Sequence, residues 1–219
     1  MTDFALARRN MIDRQLRPNR VTNAALLAAI GALPRERFLP DALRSVAYAD
    51  DDVPLGGGRY LMEPMVLARL IQTLQPQPDD RALVVGAGCG YGAVLLARLV
   101  KVVTAVESDP GLGTAGQQIV KELGLGGIDW VIGKPELGAT GSAPYDVVLI
   151  EGAVRQVPQV LFDQLAEGGR LAAVVAGGPG AMGVAQLFVK VSGVTSGRPL
   201  FEAGTPLLPG FAPPPSFTF

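Results

Sequence analysis

Residues 81–107 constrain the fold of this 219-residue chain more than any other segment. An apolar run, Ala82-Leu83-Val84-Val85, breaks into Gly86-Ala87-Gly88-Cys89-Gly90-Tyr91-Gly92, and a second apolar run ends in Glu107. The order is strand, glycine-rich turn, helix, strand, acid, the opening of a parallel βαβ unit. Amides of such a turn approach a ligand closely, and a carboxylate at the tip of the next strand can accept hydrogen bonds from two ribose hydroxyls. The unit reads as a site for a nucleoside-containing cofactor.

The spacing of the glycines narrows the cofactor. A dinucleotide fingerprint counted from Gly86 puts Tyr91 at the sixth position, where close helix–strand packing asks for a small residue. Counted from Gly88 it ends acceptably at Ala93, but it then starts two residues past the apolar strand. A nicotinamide-dependent oxidoreductase therefore requires that Tyr91 be tolerated. A Gly-x-Gly-x-Gly turn anchored at the strand end, with Glu107 twenty-one residues after Gly86, is instead similar to that of S-adenosylmethionine-dependent methyltransferases.

The rest of the chain alternates apolar strands with helical stretches. Strands are expected at Val102 to Val106, Ile128 to Ile132, Val147 to Ile150 and Leu171 to Val175, and helices near Gly92 to Arg98, Thr114 to Leu123 and Val157 to Ala166. This pattern predicts an α/β fold with a mostly parallel, doubly wound sheet covered on both faces, extended by Gln186 to Val191 and Pro199 to Glu202. Upstream, helices are expected over Phe4 to Leu16, capped by Thr2 or Asp3, over Asn23 to Leu33, and over Pro64 to Leu74. A short helix is expected within Arg37 to Tyr48, then a loop at Asp50-Asp51-Asp52 and Gly56-Gly57-Gly58. The implied organisation is an N-terminal helical extension and substrate-side loop (1–78), a cofactor-binding core (79–205) and a Pro/Phe-rich tail (206–219). The tail suits a strap on the body or a disordered end.

Composition excludes whole classes of chemistry. There is no histidine, which removes Ser-His-Asp and Cys-His nucleophile systems and every His-based metal site. Lys plus Arg (19) nearly balances Asp plus Glu (20) and no basic block occurs, so capture of nucleic acid is not indicated. Cys89 is alone and the N-terminus lacks a basic-then-apolar signal, which gives the expectation of a cytoplasmic protein. Leu171 to Val189 carries no charge, but Gly177-Gly178-Pro179-Gly180 breaks it; two buried strands, Arg170 to Ala176 and Gln186 to Val191, are expected there rather than a membrane span.

Several fragments in order resemble the protein-L-isoaspartate O-methyltransferase family. They are Arg9 to Leu16, Leu33-Pro34-Arg35-Glu36-Arg37-Phe38-Leu39-Pro40, Ala47 to Asp50, Pro54-Leu55, Gly86 to Gly90, Val106-Glu107 and Gly168 to Leu171. The resemblance implies a Rossmann-like methyltransferase sheet and transfer of the methyl group of S-adenosylmethionine to the carboxylate of isoaspartyl residues in ageing proteins. It implies cofactor contacts at Gly86, Ala87, Gly88, Gly90, Glu107 and Ser108, with Tyr60, Leu61, Met62 and Lys134 as further neighbours.

Two departures stand out. The family's Gly-Gln-Thr-Ile-Ser-Gln-Pro aligns with Gly58-Arg59-Tyr60-Leu61-Met62-Glu63-Pro64, so Met62 replaces the serine beside the transferring methyl. The family's Gly-Asp-Gly aligns with Gly133-Lys134-Pro135, and an ammonium cannot accept a hydrogen bond from adenine. The catalytic residue is thus unassigned, and a cofactor-binding module that has lost isoaspartyl methylation is the alternative. Glu151, at the end of a strand beside the expected crevice, is a candidate for orienting substrate. Cys89 reads as a small spacer and Asp146 as structural.

Overall fold

The computed structural model describes residues 3–178 and 181–211. Seven strands form the central sheet in the order β5-β4-β3-β6-β7-β8-β9. Their ranges are β3 Arg81–Val85, β4 Val102–Glu107, β5 Ile128–Ile132, β6 Tyr145–Val154, β7 Leu165–Val175, β8 Gly183–Val191 and β9 Val194–Ala203. The first five in chain order pair in parallel and the last two antiparallel. A separate two-stranded hairpin pairs β1 (Val53–Gly56) with β2 (Arg59–Leu61).

The helices are α1 Phe4–Met11, α2 Ala24–Ala32, α3 Pro64–Leu74, α4 Tyr91–Ala97, α5 Pro110–Glu122 and α6 Gln159–Asp163. Side chains set where they start. Asp3 accepts the Leu6 amide at 3.0 Å and Asn23 that of Leu26 at 2.9 Å, each cap stabilising its helix by about 1 kcal/mol. The expected helix to Leu16 is met by α1 running into a π-helical turn over Ile12–Leu16. The alternative cap Thr2 lies outside the described residues.

Four expectations need correction. The helix over Arg37 to Tyr48 is two 3-10 turns, Arg35–Phe38 and Asp41–Val46, because Pro40 between them cannot donate to a continuing helix. The helix placed at Thr114 starts at Pro110: Asp109 Oδ1 accepts the amides of Gly111 (2.8 Å) and Leu112 (3.1 Å), which outweighs the glycines of that first turn. The helix over Val157 to Ala166 shrinks to the five residues of α6, since Leu165 already pairs with Tyr145 in the sheet. The residues read as a loop at 50–58 contribute β1 and the turn of a hairpin.

The sheet's two faces are covered unequally. One packs against α1 to α5 in a core that includes Met11, Leu26, Phe38, Leu70, Leu95, Val103 and Val174. The other is covered by α6, short turns and two residues of the C-terminal segment, Leu208 and Phe211. That segment docks through an isolated parallel bridge between Ala153 and Leu207. Residues 206–211 are thus a strap on the body; residues 212–219, with Pro213 to Pro215, Phe217 and Phe219, lie outside the described residues. The uncharged stretch considered as a membrane span forms parts of β7 and β8, and no helix among the described residues is long and apolar enough to cross a membrane.

Candidate active site

The floor of the site is the glycine turn after β3. Gly86, Gly88 and Gly90 have φ of 73°, 55° and 86°, a left-handed region that costs glycine nothing. The amides of Gly86 and Ala87 both donate to the Val106 carbonyl (2.9 and 3.0 Å), which curls the turn over the end of β4. Gly88 then donates to Glu107 Oε2 at 2.6 Å, while Glu107 Oε1 accepts the amides of Ser108 (2.8 Å) and Asp109 (3.0 Å) and the Ser108 hydroxyl (3.2 Å). Glu107 is fully buried. Three amides hold its carboxylate where the spacing placed it.

The roof comes from two other segments. From β2, Arg59 Nη2 lies 2.8 Å from Glu107 Oε2 and also donates to the Gly86 carbonyl. From β1, Leu55 lies over Gly88: a Cβ there would stand 3.1 Å from Leu55 Cδ1. From the strap, Leu208 covers Gly86, where a Cβ would meet its Cδ2 at 2.9 Å, and also fills the space beside Gly152. The strap is tied down by Ala153 N to Pro206 O (2.9 Å), Leu208 N to Ala153 O (2.8 Å) and Thr205 Oγ1 to Asp52 Oδ1 (3.0 Å). What remains among Arg59, Tyr60, Met62, Glu151 and Leu208 is a void of about 10 Å³, room for one water at most.

Beneath this roof Met62 is buried and its carbonyl accepts Arg35 Nη2 at 2.7 Å. Arg35 is wholly buried too, bonded to Ala47 O at 2.7 Å with its guanidinium 5.0 Å from the centre of the Tyr91 ring. Tyr91, the residue that spoils the dinucleotide register, thus sets its ring beside this arginine and edge-on to Phe38, 5.3 Å between ring centres. Glu151 is 6% exposed and its Oε1 has no hydrogen-bond partner among the described residues. Burial pushes its carboxyl up to about 8 against the pull of Arg59, with Glu107 adding to the rise and Arg35 opposing it. Glu63 is pushed up to about 7 by burial and then by Asp50, Asp52 and Asp51. Burial also pushes the Cys89 thiol up to about 11, which suits a spacer and not a nucleophile.

Of the residues singled out in the sequence, Gly86, Ala87, Gly88, Gly90 and Glu107 come together, and Ser108 joins them through its amide and hydroxyl. Tyr60 and Met62 line the remaining void, while Leu61 is buried beside them. Lys134 is exposed and lines a different groove with Val131, Leu137 and Ala139. Asp146 accepts the Arg81 amide at 2.8 Å, a structural role as expected. Sequence reasoning missed Leu55, Arg59, Arg35 and Leu208 as parts of the site. For Arg59 a signal existed: one cation directly after three glycines and directly before Tyr60, where the resembling family has a neutral residue. A larger cavity, about 330 Å³, lies among Phe38, Leu39, Leu55, Cys89, Leu112 and Ile119; its lining is mainly apolar and its charged residues include the ion pair of Arg37 with Glu122.

Comparison with known proteins gives one answer. The family described as Protein-L-isoaspartate(D-aspartate) O-methyltransferase (PCMT) matches residues 7–199. A protein-L-isoaspartate O-methyltransferase of Methylorubrum extorquens (strain PA1) is 39% identical over 201 residues, covering 92% of this chain and 85% of that protein. One of Methanoculleus marisnigri is 36% identical over 168 residues, covering 77% and 76%. Among solved structures, a protein-L-isoaspartate O-methyltransferase superposes with a TM-score of 0.81 at 25% identity, over 93% of this chain and 67% of that one. A Plasmodium falciparum structure described as a complex with S-adenosyl-L-homocysteine has the same fold, with a TM-score of 0.77 at 18% identity over 96% and 100%.

Proposed function

This chain belongs to the protein-L-isoaspartate O-methyltransferase family, and we propose that its crevice performs transfer of the methyl group of S-adenosylmethionine to the free carboxylate of isoaspartyl residues in damaged proteins. The observation that carries the site is the buried carboxylate of Glu107 at a strand end, held beside three left-handed glycines. Its donor and acceptor set fits a nucleoside: carboxylate oxygens for ribose hydroxyls, and a turn whose three glycines carry no Cβ where a ligand can lie. In this reading Gly86, Ala87, Gly88, Gly90, Glu107 and Ser108 hold the nucleoside. Tyr60, Leu61 and Met62 form the transfer side, and any adenine contact at Lys134 comes from its backbone, because its side chain lines a different groove.

The bound cofactor supplies a methyl group already activated on a sulfonium, so the chain's own residues have only to position and shield. An acceptor carboxylate, with a reference pKa of roughly 4, is ionised at neutral pH and needs no general base. It must be held about 3 to 3.5 Å from the methyl carbon. Met62 cannot donate a hydrogen bond to it. Glu151, neutral below about 8, can, and it lines the same void with its Oε1 free of any hydrogen-bond partner among the described residues. Glu63 adds little repulsion below about 7. The setting implied is protein repair in the cytoplasm, with protein or peptide as partner.

Incubation with methyl-labelled S-adenosylmethionine tests the reading. Base-labile label is expected on a peptide containing isoaspartate and not on its aspartyl twin. Cofactor binding without any labelling would overturn the acceptor assignment and favour a binding module. A Met62→Ser variant, which restores a donor beside the acceptor, is expected to label the isoaspartyl peptide faster.

A further inference from the structure

We propose that Arg59 and the Leu208 strap are an internal occupant of the nucleoside crevice, so that S-adenosylmethionine binds only by displacing them. This rests on the cofactor reading above. The Arg59 guanidinium donates to Glu107 Oε2 at 2.8 Å and to the Gly86 carbonyl, and so uses acceptors at the rim of the turn that a ligand's hydroxyl and amino groups need. Leu208 stands against Gly86 and Gly152, two glycines whose missing Cβ atoms otherwise leave space for a ligand. With both in place the void left among Arg59, Met62, Glu151 and Leu208 is about 10 Å³, far below the several hundred Å³ that a small-molecule site needs.

Three features make this occupant displaceable. Arg59 Nε is buried with no partner among the described residues, so the closed form carries an unmade hydrogen bond that opening relieves. Glu107 keeps its bonds from Gly88, Ser108 and Asp109 when Arg59 leaves, so the floor is already formed for a ligand. The strap's polar ties near the crevice are few, two backbone bonds to Ala153 and the Thr205 hydroxyl on Asp52, and the rest of its hold is the apolar burial of Leu208 and Phe211, which a ligand's own apolar surface can replace. Cofactor affinity is then reduced by the fraction of molecules that are open.

Isothermal titration of S-adenosylmethionine and S-adenosylhomocysteine into the full chain tests this. Arg59→Gln, which puts a neutral residue where the family has one, and Leu208→Ala, which empties the crevice from the other side, are each expected to tighten binding by about ten-fold or more. Amide exchange in the intact chain gives a readout that does not depend on either variant folding. Saturating S-adenosylhomocysteine is expected to speed exchange at the Leu208 amide, freed from the Ala153 carbonyl, while slowing it at Gly88. Binding by the wild-type chain as tight as by both variants, with the Leu208 amide slowed by ligand, would overturn the occupant and leave the cofactor reading standing. No binding by the wild type or either variant would overturn the cofactor reading itself, and the occupant with it.

Discussion

The floor and the roof of the crevice are built by opposite rules. On the floor the amides of Gly86 and Ala87 go to Val106 O, that of Gly88 to Glu107 and that of Gly90 to Ala87 O, and Gly86, Gly88 and Gly90 adopt dihedrals that other residues reach only with strain. On and beside the roof, Arg59 Nε, Arg35 Nη1 and Glu151 Oε1 have no hydrogen-bond partner among the described residues. Native structures leave few such atoms, and each calls for a physical reason; Gln15, Arg44 and Arg170 carry others away from the crevice. On the proposed reading the cofactor surface is preformed, whereas the surface facing it is provisional.

The sharpest break of that contrast is Glu107→Ala. It strands the buried Arg59 cation and leaves the Gly88, Ser108 and Asp109 amides without their acceptor. We expect a loss of about 3–5 kcal/mol in urea unfolding, together with loss of cofactor binding. A loss below about 1 kcal/mol would mean that the floor is not pinned as described. Gly90→Ala comes next: its Cβ would stand 2.7 Å from the Trp130 ring at a φ of 86°, and a destabilisation of about 1–3 kcal/mol is expected by the same measurement.

The roof predicts a pH dependence. Glu151 and Glu63 have folded values of about 8 and about 7, raised above an ordinary 4.5, so the folded chain binds more protons than the unfolded one across that interval. Their contribution is fully present below the unfolded value and is lost as pH rises through 7 to 8. The melting temperature should therefore fall between pH 5.5 and 8.5 in the wild type and fall much less in a Glu63→Gln/Glu151→Gln variant. An equal fall in both would show that neither carboxyl is held neutral. Smallest of all, Lys134→Ala should change stability by less than about 0.5 kcal/mol and leave cofactor affinity within two-fold, because that side chain is exposed and lines a different groove. A larger loss of affinity would move Lys134 into the site.

The legible parts of the molecule are those where neighbouring residues decide. Pro64–Leu74 and Ile128–Ile132 fall on their expected bounds because apolar spacing, a leading proline and flanking turn residues all agree locally. The end of α6 was not legible: Leu165 is as good in a helix as in a strand, and pairing with Tyr145 settles it. The hairpin at 53–61 was hidden because its strands are three or four residues long and its turn glycines look like any loop.

The site divides along the same line. By itself the sequence determined that a glycine turn and an acid twenty-one residues later lie at adjacent strand ends, because a parallel βαβ unit of that length closes in only one way. Only the tertiary structure decided what faces them. Arg59 is 48 residues from Glu107, and Leu208 is more than a hundred from Gly86. No local pattern encodes those meetings; they arise because one sheet face, left thinly covered by a five-residue helix, draws the C-terminal strap across the crevice to bury it.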